Sequence, residues 1–292
     1  MPLLDDLIKR FSKTTIGFPA SQELEYAIAK AHTDMSRRAT GHKPEIQEES
    51  IRWLANRFKK LSPFEYKKQE DFDKWHEDTC NAYCKELNSF AVSKDFSFII
   101  TYGRAQKVLN MTFKYLYCTS EYKARVEKII PFLHMTLDGY TLRWYKEVVV
   151  KYFNDNRAHS ITKLKVGDVS EWSKMNESGK HQYIDIQKRI REYLRINTNY
   201  RYSINTAIID EETQSDQKNN TINIDIPFDL MRKHPFFAEF VVWEGEIVRS
   251  KVDNLFKGLN GIYETWNDDK WAVNASIQLE LKSKLTTILK NI

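Results

Sequence analysis

Over much of the chain, apolar positions recur every three or four places rather than in alternation, the spacing that lines one face of an α-helix. The clearest run lies between Phe72 and Phe90, where Phe72, Trp75, Thr79, Ala82, Tyr83, Leu87 and Phe90 share one stripe. In the stretch 180–194, Tyr183, Ile186, Ile190 and Leu194 fall on one face and charges on the other. Further helices are expected to begin near Ser21, after the break Gly17-Phe18-Pro19, and near Pro44, with Glu45, Glu48 and Glu49 in the first turns. Another is expected near Ser62, where Pro63 suits a first helical position. Segments near 105–118, 121–131 and 137–153 carry the same period. Residues 196–226 break it. There β-branched and polar residues alternate around the run EETQSDQKNN, which predicts a small β-hairpin or an excursion from the helical body. Helices resume from Pro227.

Nine Gly and seven Pro in 292 residues favour long helices over a turn-rich sandwich or barrel, so the expected fold is mainly α. A single compact helical domain over 1–292 is expected, divisible into lobes at 1–95 plus the C-terminal helices and at 96–195. With 41% hydrophobic residues the chain can bury a core. No window approaches the ~18 uninterrupted apolar residues of a membrane span. The opening MPLLDDLIKRFSK lacks a secretory apolar region with its cleavage site, and three cysteines fit a reducing compartment, so the cytoplasm is expected. The sequence contains neither a Gly-rich phosphate loop nor a Gly-x-Ser-x-Gly elbow, which leaves nucleotide-driven and acyl-transfer chemistry unsupported. A net charge of +5 permits a nucleic-acid partner without demanding one.

Residues 101–145 narrow the choice. Gly103-Arg104 followed by Val108, Leu109, Asn110 and Phe113 looks like the second half of a helix-hairpin-helix, in which a Gly turn opens a helix whose amides face a phosphate. Downstream, Leu137-Asp138-Gly139-Tyr140-Thr141-Leu142-Arg143 resembles the apolar-Asp-x-x-x-x-Arg signature of the helix-hairpin-helix DNA glycosylases. The resemblance implies a two-lobed helical fold of that type, double-stranded DNA as partner, no metal and no organic cofactor. It implies Asp138 and Lys107 as catalytic candidates, and Gly103, Arg104, Gln106, Lys107 and Arg143 as DNA contacts. Tyr140, Trp144, Tyr145 and His134 are implied as the lining of a base pocket. A carboxylate there can stabilise the oxocarbenium-like charge that grows on the sugar as the base leaves. The base must first be flipped out of the stack.

Family hairpins read apolar-Pro-Gly-apolar-Gly, and Phe98 to Gly103 keeps only the last Gly. In bifunctional members a Lys just after that Gly forms a Schiff base. Here the position is Ala105, with Lys107 two residues on, so monofunctional base excision by a monomer is expected, in repair or in defence against phage with modified DNA.

Two other constellations stand apart. Arg37-Arg38-Ala39-Thr40-Gly41-His42 matches the Arg-x4-His pattern of the HEPN ribonucleases, the rival enzyme; a non-catalytic helical module binding DNA or protein is the rival of another class. His76, Cys80 and Cys84 repeat every four residues, but ligands eight residues apart lie about 12 Å apart on a helix, so they predict buried side chains rather than a zinc site. Lys163, Lys165 and Lys174 around Trp172 form a basic-aromatic patch able to touch a DNA backbone.

Overall fold

The computed structural model describes residues 2–13, 18–37, 42–60, 63–155, 171–175, 180–197, 199–205, 221–227 and 234–243, the strands by their backbone. These are mainly helical. The chain divides into two compact units, residues 1–197 with 229–240, and residues 198–228 with 241–292.

Helices of the first unit include α1 (Pro2–Ser12), α2 (Glu23–Ser36), α3 (Pro44–Lys60), α4 (Gln69–Ser93), α5 (Tyr102–Tyr117), α6 (Lys123–Glu127), α7 (Gly139–Trp144), α8 (Lys151–Asp155) and α9 (Lys180–Ile196), and residues 235–240, which carry Glu239, are helical as well. The stripe expected on α4 faces the core: Phe72, Trp75, Thr79, Tyr83 and Leu87 are buried, with Ala82 and Phe90 at its half-buried margin. The helix expected at Ser62 is reduced to a 3-10 turn, Pro63–Glu65. Phe64 is buried there among the rings of Phe58, Phe113 and Tyr122, and seating it turns the chain before α4 begins. The helix expected at 121–131 stops after α6, and Pro131 falls in a 3-10 turn, Ile130–Phe132. The helix expected at 137–153 starts at Gly139 and passes through a π-helical turn, Tyr145–Val150, into α8.

Helix α5 occupies the middle of this unit. It packs most extensively on α2, whose Ala27 and Ala31 are fully buried and let the two backbones lie close. Of its sixteen residues, Tyr102 to Tyr117, all but Arg104 and Lys107 are buried. Its polar residues are therefore in the core and need partners there. Asn110 donates to Gln106 Oε1 at 3.1 Å and to Tyr183 Oη at 2.9 Å, and it is 2.9 Å from His76 Nε2. Lys114 Nζ lies 3.1 Å from Glu239 Oε1, and both side chains are almost wholly excluded from solvent. Burial pushes the lysine below and the glutamate above its ordinary pKa.

Between the turn at Ile130 and α7 the chain runs extended and buried, with no strand paired to it among the described residues; side chains serve as its ladder. Gln187 of α9 donates to Met135 O at 2.7 Å and accepts from Met135 N at 3.0 Å. Gln106 of α5 does the same for Leu137, at 2.7 and 3.2 Å. Glu239 accepts from Thr136 N at 2.8 Å, and Thr141 Oγ1 donates to Thr136 O at 2.6 Å. Asp138 N donates to Thr141 Oγ1 at 2.8 Å, closing a capping box at the start of α7.

In the second unit the backbone of β1 (Asn199–Asn205) pairs antiparallel with β2 (Thr221–Pro227), in register from Asn199 opposite Pro227 to Asn205 opposite Thr221. The polar run EETQSDQKNN lies outside the described residues. No helix among the described residues is long and apolar enough to cross a membrane.

The buried pair makes a specific prediction. Glu239→Gln or Lys114→Met should each destabilise the fold, by about 3–5 kcal/mol where an uncompensated charge is left, while the double substitution recovers most of the loss. A double-mutant cycle by chemical denaturation checks this; additive losses would contradict a coupled pair.

Candidate active site

Lys107 and Asp138, thirty-one positions apart in sequence, meet at the surface end of this brace. Lys107 is one of the two α5 residues not counted in the core, and its Nζ lies 3.7 Å from Asp138 Oδ2, both side chains being mostly covered. The other oxygen, Oδ1, accepts from Tyr140 N at 3.0 Å and Thr141 N at 3.1 Å as the N-cap of α7. One carboxylate oxygen therefore holds the helix while the other faces an amine.

A strap that includes residues 171–175 reaches the same place. Its 3-10 turn Trp172–Lys174 lies over the first turn of α5: Thr101 Oγ1 donates to Ser173 O at 3.0 Å and Gly103 N to Met175 O at 3.2 Å. A β-carbon at Gly103 would fall 1.6 Å from Trp172 O, so only glycine admits the strap this close. The strap sets the indole of Trp172 with its centroid 4.6 Å from Lys107 Nζ, a cation–π distance. Gly139, Leu142, Arg143, Lys146, Glu147, Glu171, Trp172 and Ser173 line an open pocket of about 420 Å³ beside the Lys107–Asp138 pair.

No family model, curated protein or solved structure matches this chain.

The predicted site residues divide sharply. Arg143 lines the pocket, whereas Asp138 and Lys107, paired at 3.7 Å, are not among its lining residues and adjoin it through Gly139 and Trp172. Gly103 is the second residue of α5, which Thr101 caps; its amide is taken up by Met175 O and its Cα faces the strap, so the phosphate expected there has lost that donor. Arg104 donates to Ile99 O and lies over the Phe98 ring at 4.9 Å. Gln106, expected to touch DNA, is fully buried and has both ends of its amide engaged in the brace.

Of the rings expected to line a base pocket, Tyr140 is half-buried and outside the lining. Trp144 and Tyr145 are core residues, Trp144 edge-on to Tyr193 at 5.7 Å. These two rings sit on the inner side of α7 and its π turn, because a helix that covers a core directs its large apolar groups inward. His134 is buried as well, its Nε2 2.7 Å from Asp73 Oδ1 and its Nδ1 2.9 Å from Tyr183 Oη. The aromatic member of the lining is Trp172, which the sequence marks only as part of a basic patch. Lys163 and Lys165 of that patch lie outside the described residues.

Arg37 and His42, the ends of the ribonuclease-like motif, each have another partner. Arg37 donates to Asp34 Oδ1 at 2.6 Å, and His42 Nε2 lies 3.0 Å from His32 Nε2; residues 38–41 lie outside the described residues. Of His76, Cys80 and Cys84, expected to be buried side chains, all three are buried; His76 is stacked on Tyr183 at 5.3 Å and its Nδ1 lies 3.7 Å from Cys80 Sγ. Among the described residues no group of three His, Cys, Asp or Glu side chains is arranged to hold a metal.

Electrostatics around these histidines follow from burial. Loss of solvent pushes His134 down to about 4 and His32 down to about 3, the latter with help from His42, and His76 well below its usual value. Burial would raise Asp73, but the hydrogen bond and charge of His134, with Arg191 3.2 Å away, hold its carboxyl well below the usual range.

Gly103→Ala should destabilise the fold despite a helix-propensity gain of about 1 kcal/mol, because the strap backbone has to move. Gly139→Ala meets open space and should be neutral or stabilising by up to about 1 kcal/mol. Urea denaturation of the two variants decides it, and a stabilised Gly103→Ala would refute the contact.

The histidines give a pH prediction. His32 and His134 titrate lower in the folded than in the unfolded protein, so the unfolded chain binds more protons below about pH 6.5. Stability is fully present above that pH and is lost as pH falls towards 4, by about 1.4 kcal/mol per unit for each histidine. Thermal melts at pH 7.5 and 5 should differ by several degrees. Coincident melts would contradict the burial of neutral rings.

Proposed function

We propose that this chain is a DNA glycosylase of the helix-hairpin-helix type, a two-lobed cytoplasmic enzyme that cleaves the N-glycosidic bond of a damaged or modified base. The observation that carries the reading is the meeting of Lys107 and Asp138, Nζ to Oδ2 at 3.7 Å, beside an open pocket. Asp138 would stabilise the positive charge that develops at the sugar as the base departs. Its backbone-bound Oδ1 keeps the carboxylate in place, so little reorganisation accompanies the reaction.

The pocket, about 420 Å³, is of the size that takes small ligands, and Trp172 offers an extruded base a flat π-surface. Arg143 and Lys146, set at the pocket beside Glu147 and Glu171, would meet the flanking phosphates, the role that the buried Gln106 and the occupied Gly103 amide do not fill. Lys107 beside the carboxylate favours a second reading of the same step. After passing a proton to Asp138 its amine can attack the sugar C1′ as the bond from C1′ to the base breaks and the base leaves with a proton; loss of a second amine proton and opening of the C1′–O4′ bond then give a Schiff base and a lyase activity rather than simple hydrolysis.

Release of free base from a panel of damaged and naturally modified duplex DNAs, followed by mass spectrometry, tests this. Wild-type protein should release one class of base, and Asp138→Asn should slow release by roughly 100-fold or more. Asparagine caps a helix as well as aspartate does, so the fold survives the change. Borohydride should trap an enzyme–DNA adduct that Lys107→Gln abolishes if the amine is the nucleophile; release without trapping leaves water in that role. DNA binding without release from any substrate would point to a non-catalytic module, and His42-dependent cutting of RNA to a ribonuclease.

A further inference from the structure

Behind the Lys107–Asp138 pair lies a second pair of opposite charges that the proposed chemistry does not touch. Lys107 and Lys114 are seven residues apart on α5, which puts them on one face about two turns apart. Each meets an acid, Lys107 meeting Asp138 at 3.7 Å and Lys114 meeting Glu239 at 3.1 Å. The two acids are joined through the extended segment, since Glu239 Oε2 accepts from Thr136 N at 2.8 Å, two residues before Asp138. Thr136 O in turn accepts from Thr141 Oγ1, the same hydroxyl that accepts from Asp138 N.

The Glu239 carboxylate thus has one oxygen on α5 and one on the segment that delivers Asp138, and a displacement of either is felt at the cap of α7. The Asp138 carboxylate also acts electrostatically on both members of the buried pair. A buried salt bridge is a weak source of stability, so its presence here calls for another account.

We infer that Lys114 and Glu239 are positioning residues for Asp138, Glu239 setting the height of its carboxylate through Thr136 and the two buried charges balancing the field around it. The inference rests on the glycosylase reading. Other charged groups near Asp138 are Lys107 on α5, Arg143 on α7, Lys146 and Glu147 on the π turn, and Glu171 on the strap; the last four line the open pocket, where solvent screens them. Lys114 and Glu239 lie in the interior, where a charge acts at longer range.

The experiment is the pH dependence of base release by the full-length protein. The acid limb of the profile reports the ionisation of the catalytic carboxylate. Lys114→Met removes a cation and should move that limb to higher pH. Glu239→Gln keeps an acceptor for Thr136 N, leaves the cation, and should move the limb to lower pH. Each displacement should be about half a pH unit or more, below the 1–3 units that a directly paired charge produces. Both variants are destabilised, so a purely structural role would lower activity in both and move the limb in neither. Limbs that stay at the wild-type position, or move the same way, overturn the inference.

Glu239→Asp supplies an independent check that keeps the charge and shortens the arm. Its turnover number should fall on the order of 10- to 100-fold at unchanged KM, with the limb unmoved. Unchanged turnover in that variant overturns the positioning role even if the other two fail to fold. Absence of base release by the wild-type protein from every DNA overturns the glycosylase reading and this inference together, whereas release with unmoved limbs overturns this inference alone.

Discussion

A buried extended segment has to find a partner for every peptide group, because an unpaired N–H or C=O in the interior costs more than a typical hydrogen bond contributes. Residues 135–138 meet that demand without a sheet. Every backbone N–H and C=O of the four residues is paired, by side chains from α5, from α9 and from the helical turn at 235–240, and by the first turns of α7. The three elements are thereby tied to one another through a single stretch of chain, and the end of that stretch is Asp138.

The same demand explains why α5 is polar in places yet almost wholly buried. Gln106 and Asn110 are one turn apart and share a hydrogen bond, so the brace continues into the Asn110–Tyr183–His134 cluster and on to Asp73. Networks of this kind hold a single arrangement when all members are satisfied, since any shift strands a polar group in the interior. Their cost is sensitivity to protonation: burial forces the imidazoles to stay neutral, so acid attacks the structure at its centre rather than at its surface.

Rigidity in this interior has a counterpart at the surface. Asp138 is held by its own helix cap, by the segment before it and by Lys107, whereas Arg143 stands exposed at the pocket mouth. Trp172 joins the two because Gly103 lacks a side chain, which lets the strap approach α5 closely enough to bring the indole over the Lys107 ammonium.

Local rules made much of this legible. The period of Phe72, Trp75, Thr79, Tyr83 and Leu87 is enough to define α4 and its inner face, and the acids after Pro44 mark the first turns of α3, because helix geometry repeats every 3.6 residues whatever lies beyond it. Asp138 and Lys107 stand out by residue type and neighbourhood in sequence. Tertiary structure decided what those local patterns leave open. Whether α5 shows one face or none to water depends on what surrounds it, and the Gln106 amide, polar by sequence, became part of the interior because Leu137 offered it both halves of a peptide. Trp172 reached the site, and Trp144 and Tyr145 left it, through contacts between residues dozens of positions apart. Periodicity is a property of the backbone and can be read along the chain, but the partner of a buried polar group is chosen in space.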